Sequence, residues 1–307
     1  MQAGWALFGV NAWWPRLVPA LFACACLWLV ARLARELWPD AGRTAGLAPW
    51  ILCGCTLWVY FATAIMFDMM LACFVLLGWL GLARAWRTGR AGGFALFALG
   101  LGGGLMSKGP VALLHLLPVA LLAPWWAHEP TPRWRGWTLG VLAGVLGGAA
   151  IVLAWAIPAG LAGGDDYRRA IFLGQTTGRI TDSFAHRRPP WFYLAVLPVI
   201  LAPWTLWPGL YRAARGIAWS GSGTRFVLVA GLVPLAGLSL ISGKQAQYLL
   251  PEFAAFALLA ARALGSAGPS CAPPRGLLVP AAGFAILGLA ILAAGGLDPT
   301  FVIGGRL

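Results

Sequence analysis

The feature that most constrains this chain is a succession of long apolar stretches almost free of charge. They run from "RLVPALFACACLWLVARLAR" near the start to "RGLLVPAAGFAILGLAILAAGGLD" near the end. Of the 307 residues, 60% are hydrophobic and only 10% are charged, more apolar surface than a water-soluble domain can cover with polar groups. In lipid, each backbone N–H and C=O must be satisfied within the protein. The runs are rich in Leu, Ala and Gly and lack the two-residue alternation of a membrane barrel, so they predict helices. The expected fold class is therefore all-α, a polytopic integral membrane protein.

Runs bounded by charge or by Pro and Gly predict about ten spans, near residues 17–34, 45–66, 69–86, 93–107, 110–127, 137–158, 191–210, 225–243, 246–263 and 277–296. The net charge of +13 does not indicate a nucleic-acid partner, because the basic residues stand singly or in pairs at the ends of these runs. If the first span runs inward, alternate connections receive Arg32, Arg35 and Arg43, then Arg84, Arg87 and Arg90, then Arg133 and Arg135, then Arg212, Arg215 and Arg225, then Arg262 and Arg275. That excess makes their face cytoplasmic. The cysteines of the C-x-C pairs Cys24/Cys26 and Cys53/Cys55 lie about 200° apart on a helix, so they read as small buried hydrophobes rather than metal ligands.

The opposite face collects the unusual residues. Asp68 opens the run "DMMLACF", Lys108 stands in "SKGP", and Lys244 and Tyr248 stand in "SGKQAQYLLPEF". Residues 159–190 form one long polar external loop carrying Arg168, Arg169, Arg179, Arg187 and Arg188. Arginines on a face that orientation keeps poor in basic residues, joined by two lysines, predict a cationic pocket for a phosphate or pyrophosphate at the outer membrane surface. The plainer readings are solvated loop arginines and lysines snorkelling from helix ends. Asp68 either orients a substrate or caps the helix that follows it. His115, among apolar residues, is expected in the core, and Glu252 is expected to shape a helix start. Trp191, Phe192, Tyr193 and Trp204 read as an interfacial belt. The Gly-rich "LGLGGGLM" lies inside a run, so it predicts close helix packing rather than a nucleotide loop.

Five landmarks in order, "GVNAWWPRLVPAL", "YFATAIMFDMML", "GLMSKGPVALL", "SFAHRRPPWFYL" and "SGKQAQYLLPEFAAFALLAARAL", resemble the polyprenyl-phosphate-dependent glycosyltransferases of the GT-C membrane fold. The aminoarabinose transferases and protein-mannosyltransferase-like enzymes are the most similar members. The resemblance covers nearly the whole chain as a single transmembrane domain, 1–307. It implies transfer of a sugar from an undecaprenyl-phosphate-type donor to a lipid A-like glycolipid, another glycan or a protein, on the periplasmic face of a bacterial inner membrane. By resemblance, Lys108, Lys244, Arg179, Arg187 and Arg188 hold the donor phosphate, and Tyr248, Arg16 and His186 contact substrate. Asp68 serves as orienter or substrate ligand. No cofactor is certain. A divalent metal is left open, with His186, a loop histidine, its one candidate ligand.

The implied chemistry suits these residue types. Fixed cations in a water-poor cavity stabilise a departing phosphate, and a carboxylate is needed to deprotonate the acceptor. In the resembled family a first span and a large external loop with the catalytic carboxylate come before the part matching residue 1. The expectation is thus a truncated copy lacking that base, inactive alone. Two other readings remain: a transporter or flippase for an anionic lipid-linked substrate, for which paired inverted repeats are not evident, and an inactive pseudoenzyme.

Overall fold

The computed structural model describes residues 2–127, 134–164 and 187–267 together with Ala282. In these residues the chain forms helices α1 (Gln2–Phe8), α2 (Trp13–Leu37), α3 (Gly42–Cys53), α4 (Thr56–Thr63), α5 (Asp68–Thr88), α6 (Ala91–Lys108), α7 (Val111–Leu121), α8 (Ala123–Trp126) and α9 (Trp134–Ala162). From residue 192 onward come α10 (Phe192–Ile200), α11 (Pro208–Ala214), α12 (Ser222–Leu240) and α13 (Leu250–Ser266), with short 3-10 turns at Trp204–Leu206 and Ala246–Leu249.

Among the described residues, five helical segments are long and apolar enough to cross a membrane: α2, α5, α9, α12 and Ala246–Ser266. A sixth is formed if α3 and α4, bent by 66° at their junction, count as one. The protein is a multi-pass membrane protein. The expected spans 17–34, 69–86, 137–158, 225–243 and 246–263 each fall on one of the five. The expected span 45–66 is the bent pair, 93–107 is α6, and 110–127 divides at Leu122 into α7 and α8. The region 191–210 breaks after Ile200 because Pro203 and Pro208 lack the N–H that a continuous helix needs. The expected span 277–296 lies outside the described residues.

The two breaks satisfy each other. The Ala202 carbonyl accepts from the Thr56 amide and hydroxyl, both at 3.1 Å, and Trp204 Nε1 donates to the Ile51 carbonyl at 2.8 Å. Non-helical backbone at membrane depth is tolerated where protein groups take up its polar atoms in this way. Trp204 therefore ties two breaks together rather than standing in an interfacial belt.

Segments α5 and Ala246–Ser266 lie at the centre, with 72% of their apolar windows buried against 22% for α9 at the periphery. Lipid removes the hydrophobic drive between helices, so close approach depends on small residues. The Gly-rich α6 follows that rule. A Cβ on Gly100 would stand 2.5 Å from the Gly78 amide nitrogen, and one on Gly81 of α5 would stand 2.5 Å from the Phe97 amide nitrogen. The expected close packing at "LGLGGGLM" is what the structure has. Cys26, Cys55 and Cys73 are buried, and all five described cysteines are free thiols.

The bundle has two chemically distinct ends. At one, Glu36 near the end of α2 accepts a hydrogen bond from Arg84 at 2.8 Å and forms an ion pair with Arg87 at 2.5 Å, both near the end of α5. Arg262 lies over Trp38, and Arg225 over Trp125, at that same end. These are the residues that orientation assigned to one face. The start of α5, the end of α6 and the start of α13 meet at the other end.

Candidate active site

The site grows from three chain turns at that second end. The "SKGP" turn places Lys108 as the last residue of α6. Gly109 then takes φ +70°, a conformation side chains with a Cβ rarely adopt, and Pro110 leads into α7. Asp68 stands in the first turn of α5, not at its N-cap, which is Phe67. Its carboxylate is 4% exposed at the residue level and is ion-paired with the Lys108 ammonium. Of the two expected roles, capping is the one the structure does not adopt. Asp68 instead holds a cation.

The turn 241–249 brings the second lysine. Tyr248, in the 3-10 turn Ala246–Leu249, presents its ring to the Lys108 ammonium at 4.1 Å from the ring centroid. Four residues earlier, Lys244 is buried, and its ammonium donates to the carbonyls of Ile241 and of Arg188, the latter at 3.1 Å. Among the described residues no carboxylate pairs with Lys244. The end of the external loop docks on this turn as an isolated antiparallel bridge between Arg187 and Gly243, and the Arg188 amide donates to the Ser242 carbonyl at 3.1 Å. Arg187 and Arg188 are exposed, with the Arg188 guanidinium 5.6 Å from the Phe192 ring centroid.

The structure therefore unites Asp68, Lys108, Tyr248, Lys244, Arg187 and Arg188. Lys108, Asp68 and Tyr248 touch one another, and Lys244, Arg187 and Arg188 join the same 241–249 turn, so several basic residues gather at this end of the bundle. Lys244 is also a strut: its two carbonyl bonds lock the loop end to the turn. Arg16 is exposed on the first turn of α2, with no ion pair or hydrogen bond to the cluster. Arg179 and His186 lie outside the described residues. Among the described residues no group of three His, Cys, Asp or Glu is arranged to hold a metal ion.

Two features escaped the sequence reading. Tyr193 is fully buried rather than interfacial, and its hydroxyl donates to the Gln245 carbonyl at 3.3 Å, fixing the turn from below. His115 is in the core as expected, but its neighbour is Glu252 at 2.9 Å. Glu252 thus does more than start a helix. Only the fold joins residues so distant in sequence, and no local pattern announces the contact.

The fold and the site define a class: a helical, multi-pass membrane protein with basic residues gathered at one end of its bundle. Residues 1–158 match the dolichyl-phosphate-mannose-protein mannosyltransferase family, and the chain belongs to it. Among similar proteins is the undecaprenyl phosphate-alpha-4-amino-4-deoxy-L-arabinose arabinosyl transferase of Enterobacter sp. (strain 638), 29% identical over 261 residues, 83% of this chain and 46% of that protein. The enzyme of the same name from Pseudomonas aeruginosa (strain UCBPP-PA14) is 32% identical over 271 residues, covering 85% and 47% respectively. The chain spans about half the length of these relatives. The crystal structure of ArnT from Cupriavidus metallidurans bound to undecaprenyl phosphate superposes with a TM-score of 0.72 at 21% identity, over 96% of this chain and 52% of that one. That likeness establishes the fold.

Proposed function

We propose that the protein is a glycosyltransferase component that binds a polyprenyl-phosphate-linked sugar and moves the sugar to a lipid A-like acceptor. The observation that carries this reading is the 241–249 turn, which meets the Lys108–Asp68 pair through Tyr248 and the chain at Arg187 and Arg188, and so gathers Lys108, Lys244, Arg187 and Arg188 at a single end of the bundle. An isoprenoid tail stays in the bilayer while its phosphate reaches that end. The cations hold the donor phosphate and take up the negative charge that builds on it as the glycosidic bond breaks. Tyr248 and Asp68 fix the Lys108 ammonium so that it needs little rearrangement to do so. The names of the similar transferases support undecaprenyl phosphate as the carrier and aminoarabinose as the sugar.

The basic end carrying Arg84, Arg87, Arg225 and Arg262 is cytoplasmic, and the site faces the periplasm across a bacterial inner membrane. Arg179 and His186 are additional donor contacts in this reading, and Arg16 meets the substrate from α2. The acceptor is deprotonated by a carboxylate, with Asp68 an orienter rather than the base.

Two measurements test it. The protein in lipid nanodiscs is titrated with undecaprenyl phosphate, and binding is followed by native mass spectrometry. In proteoliposomes, transfer from undecaprenyl-phosphate aminoarabinose to lipid A is followed by the mass of the product. Binding that weakens strongly in K108A/K244A supports the site. Binding equal to that of the parent in this double variant refutes it.

A further inference from the structure

Two buried ionisable residues lie outside the cationic cluster. His115 on α7 is fully buried, and Glu252 in the first turn of α13 is 7% exposed. His115 Nδ1 stands 2.9 Å from Glu252 Oε1, within ion-pair distance but outside hydrogen-bond geometry. Among the described residues, the two imidazole nitrogens and the two carboxylate oxygens have no hydrogen-bond partner. The His115 carbonyl in turn accepts from Trp79 Nε1 at 3.0 Å, which anchors this part of α7 to α5.

Ionisable side chains inside a membrane protein are costly to desolvate, and those retained mark functional places. Glu252 follows Tyr248 by four residues and Lys244 by eight. The segment between is not a regular helix: Gln245 is extended and residues 246–249 form a 3-10 turn. Its held points upstream are the Arg188 amide on Ser242 and the Tyr193 hydroxyl on Gln245. Downstream, the first side chain to grip a neighbouring helix by charge is Glu252.

We propose that His115 and Glu252 are a positioning pair: the contact between α7 and α13 sets where the 241–249 turn sits, and hence where Lys244 and Tyr248 meet the donor phosphate. This inference rests on the proposed function. The pair touches no substrate. It acts through the turn.

The test compares H115A, E252A, their double variant and E252Q, in nanodiscs with undecaprenyl phosphate as the probe. Amide hydrogen exchange is read over 241–249 and, as reference, over α5 and α6. Each alanine variant is expected to speed exchange at 241–249 at least tenfold and weaken the Kd at least tenfold, with α5 and α6 unchanged. The double variant is expected to be no worse than either single one. E252Q, which keeps the length of the side chain and a polar oxygen opposite His115, is expected to stay within threefold of the parent Kd.

Should the alanine variants fail to fold, 15N resonance of the His115 imidazole decides the matter in the parent and E252Q. A signal shifted by the substitution supports the contact; an identical signal refutes it. Unchanged exchange at 241–249, or purely additive effects on the Kd, also overturns the pair's role. Failure of the parent to bind undecaprenyl phosphate would instead refute the proposed function, and the exchange data would still report on the pair.

Discussion

Replacing Lys108 by methionine keeps the length of the side chain and removes its charge, leaving Asp68 alone. The Asp68 side chain is 6% exposed and short, so its carboxylate cannot reach water by turning. Stranding one partner of a buried pair costs about 3–5 kcal/mol, and the lost contact with Tyr248 adds about 0.5–1 kcal/mol. The reverse change, D68L, is expected to be milder. Lys108 is 19% exposed, and its four-carbon stem can carry the ammonium to water, which limits the cost to about 1–2 kcal/mol. The double variant D68L/K108M removes both charges at similar volume and is expected to return most of the K108M loss. Reversible unfolding in mixed micelles, followed by the fluorescence of the 18 tryptophans, gives the three free energies. A double variant whose cost equals the sum of the single costs would refute the reasoning. So would D68L proving more damaging than K108M.

Other expectations follow from the same geometry. Y248A removes the ring from the Lys108 ammonium and should lose about 1 kcal/mol, measured by the same unfolding series. K244M removes a buried ammonium bonded to two carbonyls, a change of about 1.5–3 kcal/mol in the docked loop end. It should therefore speed amide exchange at Arg188 and weaken undecaprenyl phosphate binding about tenfold or more. G100L places side-chain atoms where the Gly78 backbone already stands and should cost about 1–3 kcal/mol. G92A, with nothing within 4 Å of its new Cβ, is the neutral control in the same thermal unfolding scan.

The site was partly legible because cations at span ends are conspicuous in an apolar chain. Lys108, Lys244, Asp68 and Tyr248 each interrupt a run where an anchor would gain nothing from them. Their mutual partners were not legible. The pairing of Lys108 with Asp68 needs α6 to return along α5, which the Gly100 and Gly78 backbones permit by touching. Arg16 illustrates another case: its motif is plain in sequence, and the structure shows it exposed on the first turn of α2.

By itself the sequence determined that this is a helical membrane bundle with a basic end and a chemically unusual end, because lipid enforces helices and orientation sorts charges by face. These are constraints that each run obeys alone. Tertiary structure alone decided that the proline break in 191–210 is mended by Thr56 and Ile51. It also decided that Tyr193 turns inward, that Lys244 grips the loop end, and that His115 meets Glu252. Those outcomes depend on contacts between residues far apart in the chain, for which a local pattern of apolar and polar residues carries no information.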